Sequence, residues 1–185
     1  YNTLGGVQGA IGKRAGATFE QLPLHVQAAL PDVFRHLVEV DDRGVATRRR
    51  CPLATITGVD GDTPTRAFVG AFDRARLLTL SKGEGNLPLV EVAHEALFRT
   101  WERLAGWIAT HQEDLILLRQ VRAAAEDWAR RRNAAPTEAE QQAVDTKYLW
   151  KHERLKDVYA MQKRLQPTDL NEDVLRFIRP EFDRL

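Results

Sequence analysis

Residues 87–107, LPLVEVAHEALFRTWERLAGW, contain the junction that decides how this chain folds. An extended run, Leu89–Val92, stops just before His94, and an amphipathic pattern with helical spacing begins at once. A histidine at a strand-to-helix turn has two titratable ring nitrogen atoms near a helix N-terminus, where backbone N–H groups and the helix dipole favour anions. The sequence therefore suggests that His94 contacts an anionic ligand such as a phosphate, and the alternative is a structural histidine whose ring is hydrogen-bonded within the fold.

The residues before this junction predict a small domain of helices and short strands. Apolar residues three and four apart predict three helices, at residues 4–22, 26–38 and 67–78. Pro31 should kink the second helix or restart it, and the glycines of the first helix imply close approach by a neighbouring backbone. Two hairpins are predicted at residues 38–52 and 77–92, and a loop rich in Thr, Gly and Asp at residues 55–65. This order of elements is that of a winged helix, which we place at residues 1–95.

The residues after the junction predict helices throughout. Leu97, Trp101, Leu104 and Ile108 share one face of a helix, and a second helix follows from Leu115 to Trp128. A capping box at Thr137–Glu140 opens a helix that should continue to Leu165, and a last short helix should follow Gln166-Pro167. The predicted fold class is mainly α with small β hairpins, in which a winged-helix domain precedes an α-helical arm at residues 96–185.

The amino-acid composition indicates a globular protein whose net charge is too small to create a strong electric field. The chain has 185 residues, of which 43% are hydrophobic and 29% are charged. Its 27 basic and 26 acidic residues give a formal net charge of +1, so no global attraction to nucleic acid or to an anionic membrane is expected. Only local patches could bind such partners.

Cysteine usage and hydropathy indicate the cytoplasm. Cys51 is the only cysteine and cannot form an internal disulfide, and no apolar segment approaches the ~18 residues of a transmembrane helix. The chain begins at Tyr1 without an initiator methionine and ends in a helical pattern at Leu185. We therefore expect it to be part of a longer cytoplasmic polypeptide.

The sequence shows no catalytic or metal-binding motif. The five histidines have no ligand spacing with one another or with Cys51, and no nucleophilic triad or acid–base pair is marked. The glycine-rich stretch Gly6–Arg14 does not have the spacing of a phosphate-binding loop, and Arg14 stands where Ser or Thr would reach magnesium. We expect no enzyme activity and no metal site in these residues.

Arg48, Arg49 and Arg50 offer an alternative function. They lie on the first predicted hairpin, where a DNA-binding winged helix would place its wing against phosphates. The simpler interpretation is a solvated strand edge, and the low net charge makes nucleic acid an unfavoured partner.

Several motifs together resemble one family. They are the stretch from Val90 to Ile108 with His94 inside it, LGGVQGAI at residues 4–11, FRHLV at residues 34–38, TRRRCPLA at residues 47–54, and RARLL at residues 74–78. As a set they resemble the winged-helix and helical-arm region of bacterial STAND NTPases of the novel-STAND type, the signal-transduction ATPases with numerous domains, without their ATPase core. The similarity runs from about Leu4 to Trp128.

The resemblance implies a ligand for His94. His94 occupies a position similar to the histidine of the Met-His-Asp motif in related switch ATPases, which touches the β-phosphate of bound ADP. Ala93 and Glu95 replace the flanking Met and Asp, and Glu95 is also placed to cap the following helix. ADP or ATP with Mg would then be bound by the full-length protein, whereas no cofactor is expected in these residues by themselves.

The resemblance also implies a function. The chain would be a regulatory, non-catalytic module that couples the ADP or ATP state of an upstream ATPase domain to a downstream sensor or effector, with self-association on activation. Two alternatives stay open. One is a DNA-binding winged helix, and the other is an interaction scaffold in which Trp101, Trp107, Trp128 and Trp150 pack helices or a partner.

Overall fold

The computed structural model describes residues 3–59, 61, 63–165, 170–180 and 183, with side chains from residue 6 onward. Within these residues the protein is mainly helical and has two small antiparallel sheets, which confirms the predicted class of a mainly α protein with small hairpins. The chain divides into two compact units, Tyr1–Leu115 and Ile116–Leu185. The domain boundary at residue 95 stays a prediction, because compactness alone does not define a domain.

The first unit contains most of the helices and both sheets. Its elements are α1 (Thr3–Glu20), α2 (Leu24–Gln27), α3 (Leu30–Leu37), β1 (Val38–Val40), β2 (Ala46–Arg48), β3 (Cys51–Pro52), α4 (Leu53–Thr57), α5 (Pro64–Arg74), β4 (Leu78–Lys82), a 3₁₀ turn (Glu84–Asn86), β5 (Pro88–Val92), α6 (Leu97–Thr100) and α7 (Glu102–Thr110).

Helix α1 buries one face and approaches α6 closely. Ile11, Ala15 and Phe19, four residues apart, are all buried. A Cβ atom added to Gly12 would lie 2.2 Å from the carbonyl oxygen of Thr100, so only glycine fits there. The predicted close approach of a neighbouring backbone is confirmed. The side chain of Leu4, predicted on the same face, lies outside the described residues.

Pro31 restarts the second predicted helix. It occupies the first turn of α3, where its missing N–H costs no helical hydrogen bond. The chain therefore forms α2 and α3 as two separate helices.

The first hairpin is shorter than predicted. Strands β1 and β2 pair antiparallel, and Gly44 in their turn has a φ of 82°. The prediction of one strand up to Pro52 is wrong, because β3 leaves this hairpin and pairs with β5, with Cys51 opposite Val90. Burial of Cys51, which is 1% exposed, favours that second pairing.

The second hairpin, β4 and β5, has the predicted position. Leu78 lies opposite Val92 and Lys82 opposite Pro88, and the sheet order is β3-β5-β4. The predicted helix at residues 67–78 ends early, at Arg74, because Arg76 has a left-handed φ of 59°.

The predicted loop at residues 55–65 is partly wrong. Residues up to Thr57 belong to α4, because Ile56 is buried and the Thr57 hydroxyl donates to the Leu53 carbonyl at 3.1 Å. The loop that remains ends at Thr63, whose side chain caps α5 by accepting the Arg66 N–H.

Five aromatic rings form the centre of the first unit. The Phe68 and Phe72 rings stack with centroids 4.4 Å apart, and Phe34 meets Phe68 edge-on at 5.9 Å. Trp101 lies 5.5 Å from Phe19 and 5.4 Å from Phe72. The single helix predicted through Trp101 is wrong, since Trp101 is extended, with φ −92° and ψ 101°, and separates α6 from α7. This break turns its indole into the cluster.

The described residues of the second unit form helices joined by short connections. Its helices are the part of α8 (Gln112–Ala134) after residue 115, α9 (Glu138–Tyr148), α10 (His152–Leu165) and α11 (Glu172–Phe177). The predicted capping box is confirmed, because Thr137 and Glu140 bond each other's backbone N–H groups. The stretch Gln166-Pro167, where a last helix is predicted to begin, lies outside the described residues.

The continuous helix predicted from Thr137 to Leu165 is wrong. Leu149 has an extended ψ of 136°, which separates α9 from α10. The break buries Trp150, whose ring meets Phe177 at 5.4 Å. Phe177 also lies 6.0 Å from Trp128, so one ring of α11 joins the core residues of this unit.

Candidate functional site

His94 lies in the turn between β5 and α6, and backbone hydrogen bonds fix that turn on both sides. The N–H of Ala93 donates to the Leu77 carbonyl at 3.0 Å, and the His94 carbonyl accepts the Leu97 N–H at 3.0 Å. Leu97 itself is fully buried. The His94 side chain is exposed, so a rigid backbone presents a free imidazole face to solvent.

The turn is a weaker anion site than the sequence predicts. Helix α6 has only four residues, and no side chain caps it. The partial charge at a helix N-terminus comes from aligned peptide dipoles, and a single turn aligns few of them. Any affinity for an anion at His94 must therefore come mainly from side chains.

Glu95 links the turn to the first hairpin. Its Oε1 accepts the backbone N–H of Arg48 at 3.2 Å, and the N-cap of α6 is Ala96. The interpretation of Glu95 as a cap of the next helix is therefore wrong. Its carboxylate instead holds the end of β2 beside His94.

An open hollow of about 510 Å³ surrounds the imidazole. It is lined by Val7, Gln8, Ile11, Arg48, Ala93, His94, Glu95, Ala96 and Arg99. Arg48 and Arg99 are both exposed, and they bring two permanent positive charges to the hollow against one carboxylate. A histidine with two guanidinium groups suits an anion with several oxygen atoms, such as a phosphate.

The three consecutive arginines do not form one surface. The Arg49 Nη1 donates to the His36 carbonyl at 3.0 Å, and the Arg50 Nη2 pairs with Glu91 at 3.2 Å. Arg48 alone of the three lines the hollow of His94. Arg48 is the last residue of β2, whereas Arg49 and Arg50 lie between β2 and β3, so the three side chains are not held on one strand face.

Sequence reasoning missed two parts of this hollow. It assigned Arg48 only to the nucleic-acid alternative, and it did not single out Arg99. Arg99 carries a weak signal, since it follows His94 by little more than one helical turn. The position of Arg48 depends on a bond to Glu95 across 47 residues, which no local pattern reveals.

The part of the chain that the structure describes offers neither a metal-ligand cluster nor a membrane-spanning helix. No group of three His, Cys, Asp or Glu side chains there could hold a metal ion. No helix there combines the length and the apolar character needed to cross a membrane.

The family is shown by comparison with family models. The model described as novel STAND NTPase 1 matches residues 1–136, which is more than half of the chain. The chain therefore belongs to the novel STAND NTPase 1 family. No curated protein and no solved structure matches it.

Proposed function

We propose that this chain is the regulatory, non-catalytic module of a STAND-type NTPase. Residues 1–95 act as a winged helix, and residues 96–185 act as a helical arm. The module couples the ADP or ATP state of an ATPase domain on the same polypeptide to a sensor or effector domain. Membership of the novel STAND NTPase 1 family supports this proposal.

The arrangement of the second sheet supports the winged-helix part of the proposal. Helix α5 lies between β3 and β4 in the chain, and β5 returns to pair with both strands. A helix followed by such a hairpin is the order expected of a winged helix. The unit also places His94 directly after the last strand.

The observation that carries the proposal is an exposed imidazole on a fixed backbone, beside two arginines. The ligand that fits this charge is the diphosphate of ADP, bound mainly by the ATPase domain. His94 would donate a hydrogen bond to a phosphate oxygen, and Arg48 and Arg99 would add charge. The Mg²⁺ that accompanies the nucleotide would be bound by the ATPase domain, because the hollow offers one carboxylate, Glu95, beside the two cations Arg48 and Arg99.

The energy of one such contact is large enough for a switch. A hydrogen bond to a charged group is worth about 1.5–3 kcal/mol. A switch responds only to the difference in affinity between its two states, and this energy would change the closed population roughly tenfold to a hundredfold. Loss of the contact on exchange of ADP for ATP would then open the protein and permit self-association.

The test is His94→Ala in the polypeptide that includes the ATPase domain. We expect ADP to dissociate roughly tenfold to a hundredfold faster and the self-associated form to increase. Stopped-flow release of a fluorescent ADP and light scattering measure the two effects. The control is His25→Ala, which removes another exposed histidine, in α2, that does not line the hollow. Unchanged ADP release and unchanged association in His94→Ala would defeat the proposal.

The placement of the arginines and tryptophans favours this function over the two alternatives. Arg49 and Arg50 are used in contacts within the first unit, which leaves a wing with little free charge for DNA. Trp101, Trp128 and Trp150 are buried and offer no surface to a partner, whereas Trp107 is half-buried, with its ring 5.2 Å from that of His111.

A further inference from the structure

The second unit contains a cationic pocket that the proposed function does not use. It has a volume of about 390 Å³, and helices α8, α9 and α11 and the residues next to them supply its walls. We propose that this pocket binds a compact phosphorylated anion. The residues that would bind it are Arg132, Lys151, Arg176 and Arg179.

A polar link at the base of the pocket positions Arg132. The carboxylate of Asp145 accepts the Trp128 indole N–H at 2.8 Å and the Arg132 Nε–H at 3.2 Å. Trp128 is buried, and the Asp145 side chain is 19% exposed, so this link is largely shielded from water. Because the bonds to Asp145 use only the Nε of Arg132, its two terminal amino groups are left for a ligand.

The other three cations come from two separate stretches. Lys151 lies between α9 and α10, while Arg176 belongs to α11 and Arg179 follows it. Arg176 and Arg179 lie on either side of the C-terminal end of α11, and both side chains line the pocket. The Arg176 guanidinium lies 5.3 Å from the centre of the Trp128 ring, which holds it over the pocket.

The positive charge of the pocket is not balanced by its own carboxylates. Asp145 and Asp183 are the two acidic residues of the lining, against four cations. Asp145 is already committed to Arg132 and Trp128. In the described parts of the chain, no carboxylate lies within ion-pair distance of Lys151, Arg176 or Arg179. Four cations against two carboxylates leave an excess of two positive charges, and a bound anion would relieve the repulsion among Lys151, Arg176 and Arg179.

The size and the type of cation favour a compact phosphate ligand. The volume lies in the range of small-molecule sites, and three of the four cations are arginines, whose planar forks match phosphate oxygen atoms in pairs. An acidic peptide would need an extended groove. Most of the lining, from Gln142 to Asp183, lies beyond the family match at residues 1–136, and no lining residue is shared with the His94 hollow.

The experiment is calorimetry of the 185-residue chain with pyrophosphate, with ADP as a second arm. Pyrophosphate should bind, and Arg179→Gln and Lys151→Gln should each weaken binding roughly tenfold, the effect of losing one charged hydrogen bond. The ADP arm distinguishes a free diphosphate from one carried by a nucleotide. In NMR spectra, the Trp128 indole N–H signal should shift with pyrophosphate, because its acceptor Asp145 also holds Arg132.

The matched control is Arg130→Gln. Arg130 is an exposed arginine of α8 that pairs with Asp127 outside the pocket, so its loss should change the affinity less than twofold. Three results would overturn the proposal: no binding of millimolar pyrophosphate, equal weakening by Arg130→Gln and Arg179→Gln, or tighter binding of a hexaglutamate peptide than of pyrophosphate. His94→Ala should leave pyrophosphate binding unchanged, so this test fails or succeeds independently of the proposed function.

Discussion

The two units of this protein are stabilised in different ways. In the first unit, five aromatic rings from α1, α3, α5 and the break after α6 contact one another, and two sheets join distant stretches. In the second unit, three rings meet through Phe177, and polar links such as Trp128–Asp145 connect the helices. The stability of the first unit therefore comes mainly from the packing of its buried rings. The stability of the second unit comes more from helix caps and individual polar hydrogen bonds.

The largest effect should come from removing a ring of the first unit. Phe34 is fully buried and contacts Phe68, Phe72 and Trp101. We expect Phe34→Ala to lower the free energy of unfolding of this unit by about 3–5 kcal/mol, because it leaves a cavity. Hydrogen exchange of its slowest amides, with Leu24→Ala as an exposed control, measures the loss. A loss below about 1 kcal/mol would show that the cluster can collapse around the gap.

The next effect concerns the fit of α1 against α6. Gly12→Ala should destabilise the first unit by about 1–3 kcal/mol, because the new Cβ would meet the Thr100 carbonyl group and the backbone must shift. Gly16→Ala adds the same atom to the same helix, where nothing lies within 4 Å. That control should stabilise α1 by about 0.5–1 kcal/mol through higher helix propensity. Thermal unfolding of both variants checks the prediction, which fails if they shift in the same direction.

A smaller effect should follow from removing a cap in the second unit. Thr137→Ala breaks the capping box of α9 and should cost about 1 kcal/mol. Thr146→Ala is the control within the same helix, since its hydroxyl only donates back to the Gln142 carbonyl. Amide exchange along α9 should rise at its first turn in Thr137→Ala alone. Equal exchange in both variants would argue against a role for the cap.

The smallest effect should be a pH dependence at Asp127. The hydrogen bond from Arg131 is the main cause that lowers the pKa of Asp127, and a bond from Arg130 adds to it. Because the folded pKa is lower than the unfolded one, this contribution to stability is complete above the unfolded value, about 3.9, and is lost as pH falls through the folded pKa.

An NMR titration of the Asp127 carboxyl group measures this pKa directly. Arg131→Gln should raise it more than Arg130→Gln does, since Arg131 contributes the larger effect. The reverse order would contradict the assignment of the cause.

Local patterns in the sequence predicted much of the first unit but not its long-range pairings. The alternation at residues 77–92 predicted the second hairpin, and Pro31 marked the restart at α3. The pairing of Cys51 with Val90 was missed, because a two-residue strand carries no periodicity of its own. The break at Trp101 was missed for a related reason, since the rings that its indole contacts come from stretches far away in the sequence.

The candidate sites, too, could be predicted only where a single stretch of sequence contains the signal. His94 could be found, because a histidine at the end of a strand is visible in one stretch of sequence. Arg48 and Arg99 could not be placed beside it, since a bond between Glu95 and Arg48 brings the hairpin there. The cationic pocket of the second unit could not be predicted from the sequence, because its cations are spread over α8, the break before α10, and the end of α11.

The burial of Cys51 gives this protein a built-in reporter. Its sulfur is the only thiol of the chain, is 1% exposed, and lies on the strand that closes the second sheet beside β5. A thiol reagent can therefore label the native chain only when the residues that cover this side chain move away from it. The labelling rate would measure how often the second sheet, whose strand β5 leads into the His94 turn, opens. No engineered cysteine would be needed.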